Sequence, residues 1–158
     1  MTELLDLYQY AEQHDIEVDW FPLPVTPSLS VKLPDNSCAI GIDPWKMETL
    51  AEERVCLAHE VGHCETDSFY DPTTGLPVKQ KCENRADRWA IRKLIPREEF
   101  LSAVAEGCTT VWQLAERFNV TEEFMKKAMC YYTHGNLAYQ LYSWGDVTTK
   151  TWRSPASF

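Results

Sequence analysis

Apolar positions in residues 3–14 recur at helical spacing, with Leu4, Leu5, Leu7, Tyr8 and Ala11 as the repeating set, and predict a first helix. The pattern then shortens into three strand-like stretches, IEVDWF (16–21), SLSVKL (28–33) and CAIGID (38–43). Pro22, Pro24, Pro27 and the turn PDNS separate them. Asp43-Pro44 offers an N-cap followed by a proline suited to a first helical turn, and predicts a helix from there to Cys64. The polar stretch TDSFYDPTTGLPVKQK (66–81) reads as a loop. A second long helix is expected over 82–95, where Pro96 stops it. Helical patterning resumes over 97–106 and 110–134, interrupted at FNVT. The tail from Gly135 is rich in tyrosine and tryptophan and has no assignable period. These elements predict an α+β fold with a small N-terminal β-sheet and a helical C-terminal half. The expected organisation is a single domain over 1–158, with a first part to about residue 64, a helical part over 82–134 and an aromatic tail over 135–158.

The helix that ends at Cys64 carries CLAHEVGHC (56–64). At 3.6 residues per turn, His63 lies roughly 40° and Glu60 roughly 100° from His59 around the helix axis. Two imidazoles can therefore converge on one ion with a carboxylate beside it. Zinc hydrolases use His-Glu-x-x-His for that reason: two neutral nitrogen ligands, and a base aimed at water. Leu50, Leu57, Val61 and Cys64 fall on the opposite side, which predicts a core-facing stripe. The alternative is a helix whose histidines are solvated or bonded to a nearby carbonyl. A single short motif does not separate the two.

The helix over CENRADRWAIRKLIP (82–96) supplies a third donor. Glu83 and Asp87 begin a stripe that Ala90, Ile91 and Leu94 continue, so two carboxylates point along a face that becomes apolar. Acids aimed at a core are costly unless cations or hydrogen-bond donors meet them. Glu83 can bind the metal, and Asp87, one turn later, can orient His59 or His63 through the ring N–H. Against this, Glu83 would be favoured near a helix N-terminus in any case, and Asp87 could pair with Arg88 or Arg92.

HEVGH followed by Glu-x-x-Ala-Asp-x-x-Ala resembles the ImmA/IrrE-type metallopeptidases, within the wider glutamate-zincins. The resemblance covers residues 35–130 in order: strand, His-Glu-x-x-His helix, polar loop, Glu-x-x-Ala helix, proline and small helices. It implies a zincin-like fold, zinc as cofactor, His59, His63 and Glu83 as its ligands, and Glu60 as the catalytic base. Trp89 stands where the family usually has phenylalanine. The resemblance also implies a cytoplasmic protease, often from a phage or other mobile element, that cleaves a helix-turn-helix transcriptional repressor.

Zinc with three protein ligands keeps a position for water and lowers its pKa to about 7, after which Glu60 would take the proton. CAIGID, next to the site helix, is the strand expected to receive substrate along its edge. Tyr70, Tyr131, Tyr132 and His134 could donate to the oxyanion, but aromatic residues near helices read first as core packing, so none is assigned a catalytic role. His14 is expected near the exposed end of the first helix.

The remaining composition adjusts this picture at a few points. A net charge of -9 argues against general nucleic-acid binding. LAERFNVTEEF has the rhythm of a helix-turn-helix, but its second helix opens at Thr121 with Glu122 and Glu123, which reads as packed support; Arg117, Lys126 and Lys127 read as a solvated face. No apolar run is long enough for a membrane helix, and the acidic start lacks the pattern of a signal peptide, so the cytosol is expected. Six cysteines without a C-x-x-C pair are then expected as free thiols, Cys64 in packing and Cys56 and Cys82 near the site. A cysteine that closed the zinc sphere would make the protein a non-catalytic regulatory or binding protein, which is the rival reading.

Overall fold

All three expected strands form, and their order decides where a substrate could lie. The structure, a computed structural model, describes residues 3–144. Strands β1 (Ile16–Trp20), β2 (Ser28–Lys32) and β3 (Cys38–Ile42) make one sheet in the order β1-β3-β2. Strand β3 is parallel to β1, with Ile16 opposite Cys38, and antiparallel to β2, with Ser28 opposite Ile42. CAIGID is therefore the central strand, hydrogen-bonded on both sides, which corrects its expected place at an edge. Its centrality follows from its side chains, since Ile40 and Ile42 are fully buried whereas β2 is half-buried to exposed throughout.

Helix α1 (Leu4–Gln13) buries Leu7 and Ala11 and ends in His14, which is exposed as expected. After β3 the chain does not enter the site helix directly. Asp43 caps a short 3-10 turn over Pro44–Lys46, Met47 is extended, and Thr49 caps helix α2 (Leu50–Glu65) by accepting from the Glu52 N–H. The cap at Thr49 lies far enough from the Asp43-Pro44 start signal for two short elements to replace one long helix. The predicted apolar stripe of α2 is correspondingly shorter: Leu57 and Val61 are fully buried, while Leu50 is 63% exposed.

Helix α3 (Leu76–Leu94) starts six residues before its predicted beginning. Pro77 sits in its first turn, where a missing N–H costs nothing. Leu76 and Val78 face solvent, so this turn has no apolar period to read. Beyond it Ala86, Ala90, Ile91 and Leu94 are all fully buried. Each buried Leu or Ile side chain contributes about 1.5–3 kcal/mol, which anchors the C-terminal half of α3 and so fixes where Glu83 and Asp87 project.

Helices α2 and α3 meet at Gly62. A Cβ built there would stand 2.6 Å from the Ala86 carbonyl oxygen and 3.0 Å from its Cα. Only glycine permits this approach, and it brings the two site helices within reach of one ion.

Helices α4 (Arg97–Ala105), α5 (Val111–Phe118) and α6 (Glu122–His134) complete the helical half, and the α+β reading holds. Asn119 in left-handed conformation ends α5, and Thr121 caps α6 through the Phe124 N–H, as expected. Buried Phe118, Phe124 and Met125 close this pair against the core. Arg54 of α2, fully buried, reaches across to donate to the carbonyls of Phe118 and Asn119 at 3.0 and 2.9 Å. The site helix is thereby tied to the α5–α6 turn through backbone acceptors that would otherwise lack donors.

Cys38 and Cys64 form a disulfide between the start of β3 and the end of α2. This corrects the expectation that all six cysteines are free. Cys64 does point away from the histidine face, as its helical phase requires, and the sheet lies on that side. Cys56, Cys82, Cys108 and Cys130 remain thiols. Among the described residues, no helix is long and apolar enough to cross a membrane.

Candidate metal centre

His59 and His63 lie one turn apart on α2, and Glu83 meets them from α3. His59 Nε2 is 3.1 Å from His63 Nε2 and 2.9 Å from Glu83 Oε2, while His63 Nε2 is 3.2 Å from Glu83 Oε1. The three possible ligand atoms lie within 4.8 Å of one another. The structure thus brings together the three residues that the sequence nominated on two separate helices.

The opposite edges of both rings explain why these atoms converge. His59 Nδ1 donates to Asp87 Oδ1 at 2.8 Å, and His63 Nδ1 donates to the Ser68 carbonyl at 2.6 Å. A carbonyl and a carboxylate can only accept, so each Nδ1 carries a proton and each Nε2 turns toward Glu83. Two such nitrogens and a carboxylate facing one another need a cation between them. Neutral imidazoles held from behind by an acceptor, plus one carboxylate, are a donor set that fits a divalent transition metal.

The two sides of this contact shift each other's titration. Burial alone would depress His59, but hydrogen bonds to Asp87 and Glu83 outweigh it and push its pKa up to about 10. Burial would raise Glu83, yet its bonds to His59 and His63 hold the carboxyl well below the usual carboxylate range.

Asp87 is 7% exposed and holds His59 on one oxygen. Its other oxygen, Oδ2, accepts from Lys127 Nζ at 3.1 Å. Burial acts to raise the Asp87 pKa, and the bonds to His59 and the charge of Lys127 reverse that and lower it. Lys127 is consequently not the solvated residue its sequence context implied; α6 packs close enough to α3 to place its ammonium at the site. No periodicity argument could find that contact, because it depends on how α6 docks. Asp87→Asn is expected to weaken metal binding by about 10- to 100-fold, since the ring of His59 loses a charged acceptor. Competition titration with a chromophoric chelator measures it, and unchanged affinity would refute the orienting role.

Glu60 is 6% exposed and accepts from Ser28 Oγ of β2 at 2.8 Å. It borders a cleft of about 230 Å³ together with Ser28, Leu29, His63, Tyr70 and Glu83. Cys56 lines an adjoining cleft with His59 and Glu83, and burial pushes its thiol up to about 11, far from a thiolate at neutral pH. Cys82 directs its thiol at the Phe69 carbonyl, 3.8 Å away. Neither thiol belongs to the group of possible ligand atoms found among the described residues.

Of the four aromatic groups named as conceivable donors, one reaches the site. Tyr70 Oη donates to Glu83 Oε1 at 2.6 Å. Tyr132 donates to the Ile95 carbonyl, Tyr131 accepts from Arg92, and His134 stacks on Tyr142 at 3.8 Å.

Comparison with known families matches residues 11–129, three quarters of the chain, to the peptidase M78 family, described as the IrrE N-terminal-like domain. The chain belongs to the peptidase M78 family. The match runs from the end of α1 to the middle of α6 and so includes both site helices. Comparison with curated proteins finds no match. Membership of peptidase M78 identifies a metallopeptidase family, and His59, His63 and Glu83 form the cluster of this chain that could hold its metal.

Proposed function

We propose that this chain is a zinc-dependent endopeptidase in which His59, His63 and Glu83 hold the metal and Glu60 is the catalytic base. The observation that carries the reading is the convergence of two Nε2 atoms and one Glu83 carboxylate oxygen within 4.8 Å of one another, with each Nδ1 anchored from behind. Zinc in such a set supplies a Lewis acid that polarises a carbonyl and makes water acidic enough to deprotonate near neutral pH. Glu60 receives the proton from the attacking water and hands it to the departing amine. The Ser28 hydroxyl holds Oε1 of Glu60 and leaves Oε2 for that exchange. Asp87, backed by Lys127, keeps His59 in the correct tautomer.

Strand β2 takes the place first assigned to β3 as the receiver of substrate. It lies at the edge of the sheet, and Ser28, Leu29 and Ser30 border the cleft that contains Glu60. An extended segment added there would lie along the cleft with its backbone paired.

The substrate proposed is a regulatory protein, a helix-turn-helix repressor, and this rests on the family resemblance alone. The cytoplasm is proposed as the place of action. The test is metal removal. Dialysis against a chelator should abolish cleavage of a repressor encoded beside this chain, and one equivalent of zinc should restore it. Cleavage that persists in metal-free protein would refute the proposal.

A further inference from the structure

Among the hydroxyl groups that line the cleft, two are held by the proposed base and a histidine. Ser28 Oγ is bound to Glu60, and Ser68 is buried between Thr66 and the ring of His63. Tyr70 differs. It stands on the segment between α2 and α3, is 42% exposed, and lines the same cleft as Glu60. Its ring meets the edge of the His63 ring at a centroid distance of 6.2 Å. Its hydroxyl lies one hydrogen bond from the carboxylate proposed as a metal ligand.

The geometry points to Tyr70 as a catalytic residue of this site, the donor that hydrogen-bonds the scissile carbonyl oxygen as negative charge develops on it. The assignment rests on the peptidase reading of the same site. Attack on a peptide bond places charge on the carbonyl oxygen, and a donor fixed in advance stabilises it more than solvent that must reorient. Tyr70 meets the positional requirement from the side of Glu83, and its phenol is a stronger donor than the serine hydroxyls nearby. Lys79 Nζ lies 5.7 Å from the centre of the Tyr70 ring and adds positive potential there. The phenol donates to Glu83 Oε1, the oxygen that also faces His63. With a cation held by that carboxylate, it would be a poorer acceptor, and a substrate oxygen would compete for the same hydrogen. No bond in the protein is made or broken, and the phenol keeps its proton throughout.

The test compares wild type and Tyr70→Phe as zinc-loaded, full-length chains. Zinc affinity is measured by chelator competition, and binding of a phosphinic pseudo-tripeptide by calorimetry; its tetrahedral phosphinate stands in for the oxyanion. The expected result is zinc affinity within threefold of wild type and phosphinate binding weakened by about 10- to 100-fold, with kcat rather than KM reduced wherever cleavage is followed. Equal phosphinate affinity in both proteins overturns the assignment and leaves the peptidase reading standing. A matching loss of zinc affinity overturns it too, because Tyr70 then only positions Glu83. If zinc-loaded wild type fails to bind the phosphinate at all, the peptidase reading itself fails and takes this assignment with it.

Discussion

Glu60→Gln should bind zinc as wild type does and lose peptide hydrolysis by about 10²- to 10⁴-fold, the contribution of a positioned general base. The substitution is nearly isosteric. Its amide oxygen can still accept from Ser28, which now holds Glu60 Oε1 at 2.8 Å, so the helix and the cleft should keep their shape. Glu60 makes no contact with the ring nitrogens comparable to those of Glu83, which lies 2.9 Å from His59 Nε2 and 3.2 Å from His63 Nε2. Metal affinity should therefore separate from activity. Zinc titration alongside a cleavage assay on the same preparation decides the matter. Full activity in the variant would remove Glu60 from the mechanism.

Glu83→Ala should have the opposite signature, with metal binding lost and the fold retained. One of three donors disappears, and Tyr70 loses the acceptor for its hydroxyl. The affinity loss should exceed the roughly 10- to 100-fold expected from perturbing a supporting residue such as Asp87. Helix α3 should nevertheless remain in place, because Ala90, Ile91 and Leu94 are fully buried and none depends on the carboxylate. Circular dichroism and zinc titration together test this. Stoichiometric zinc at wild-type affinity in the variant would contradict Glu83 as a ligand.

The residues of the proposed centre were legible before any coordinates because their chemistry follows helical geometry. His59 and His63 at four-residue spacing must share a face, and Glu83 leading Asp87 into Ala90, Ile91 and Leu94 must point the acids toward the core. Elements with local start and stop signals were legible for the same reason, such as the Thr121 cap and the break at Asn119. What escaped depends on how elements meet in space. Strand order is invisible to periodicity, and CAIGID proved central because its two isoleucines are buried. Lys127 reaches Asp87 only because α6 docks beside α3, and Cys38 meets Cys64 only because α2 lies on the sheet. The early start of α3 escaped for a different reason, since its first turn faces solvent with Leu76 and Val78 exposed and imitates a loop. Tyr70 is one of four aromatic groups that the sequence leaves without a catalytic role, because a loop residue carries no helical phase to single it out.

The most direct test of the account is X-ray absorption at the zinc edge on stoichiometrically loaded wild-type protein. Two histidine nitrogens and a carboxylate predict a shell of nitrogen and oxygen scatterers only, at about 2.0–2.2 Å. A sulfur scatterer at about 2.3 Å would place Cys56 or Cys82 on the metal, close the open position, and contradict the proposed centre.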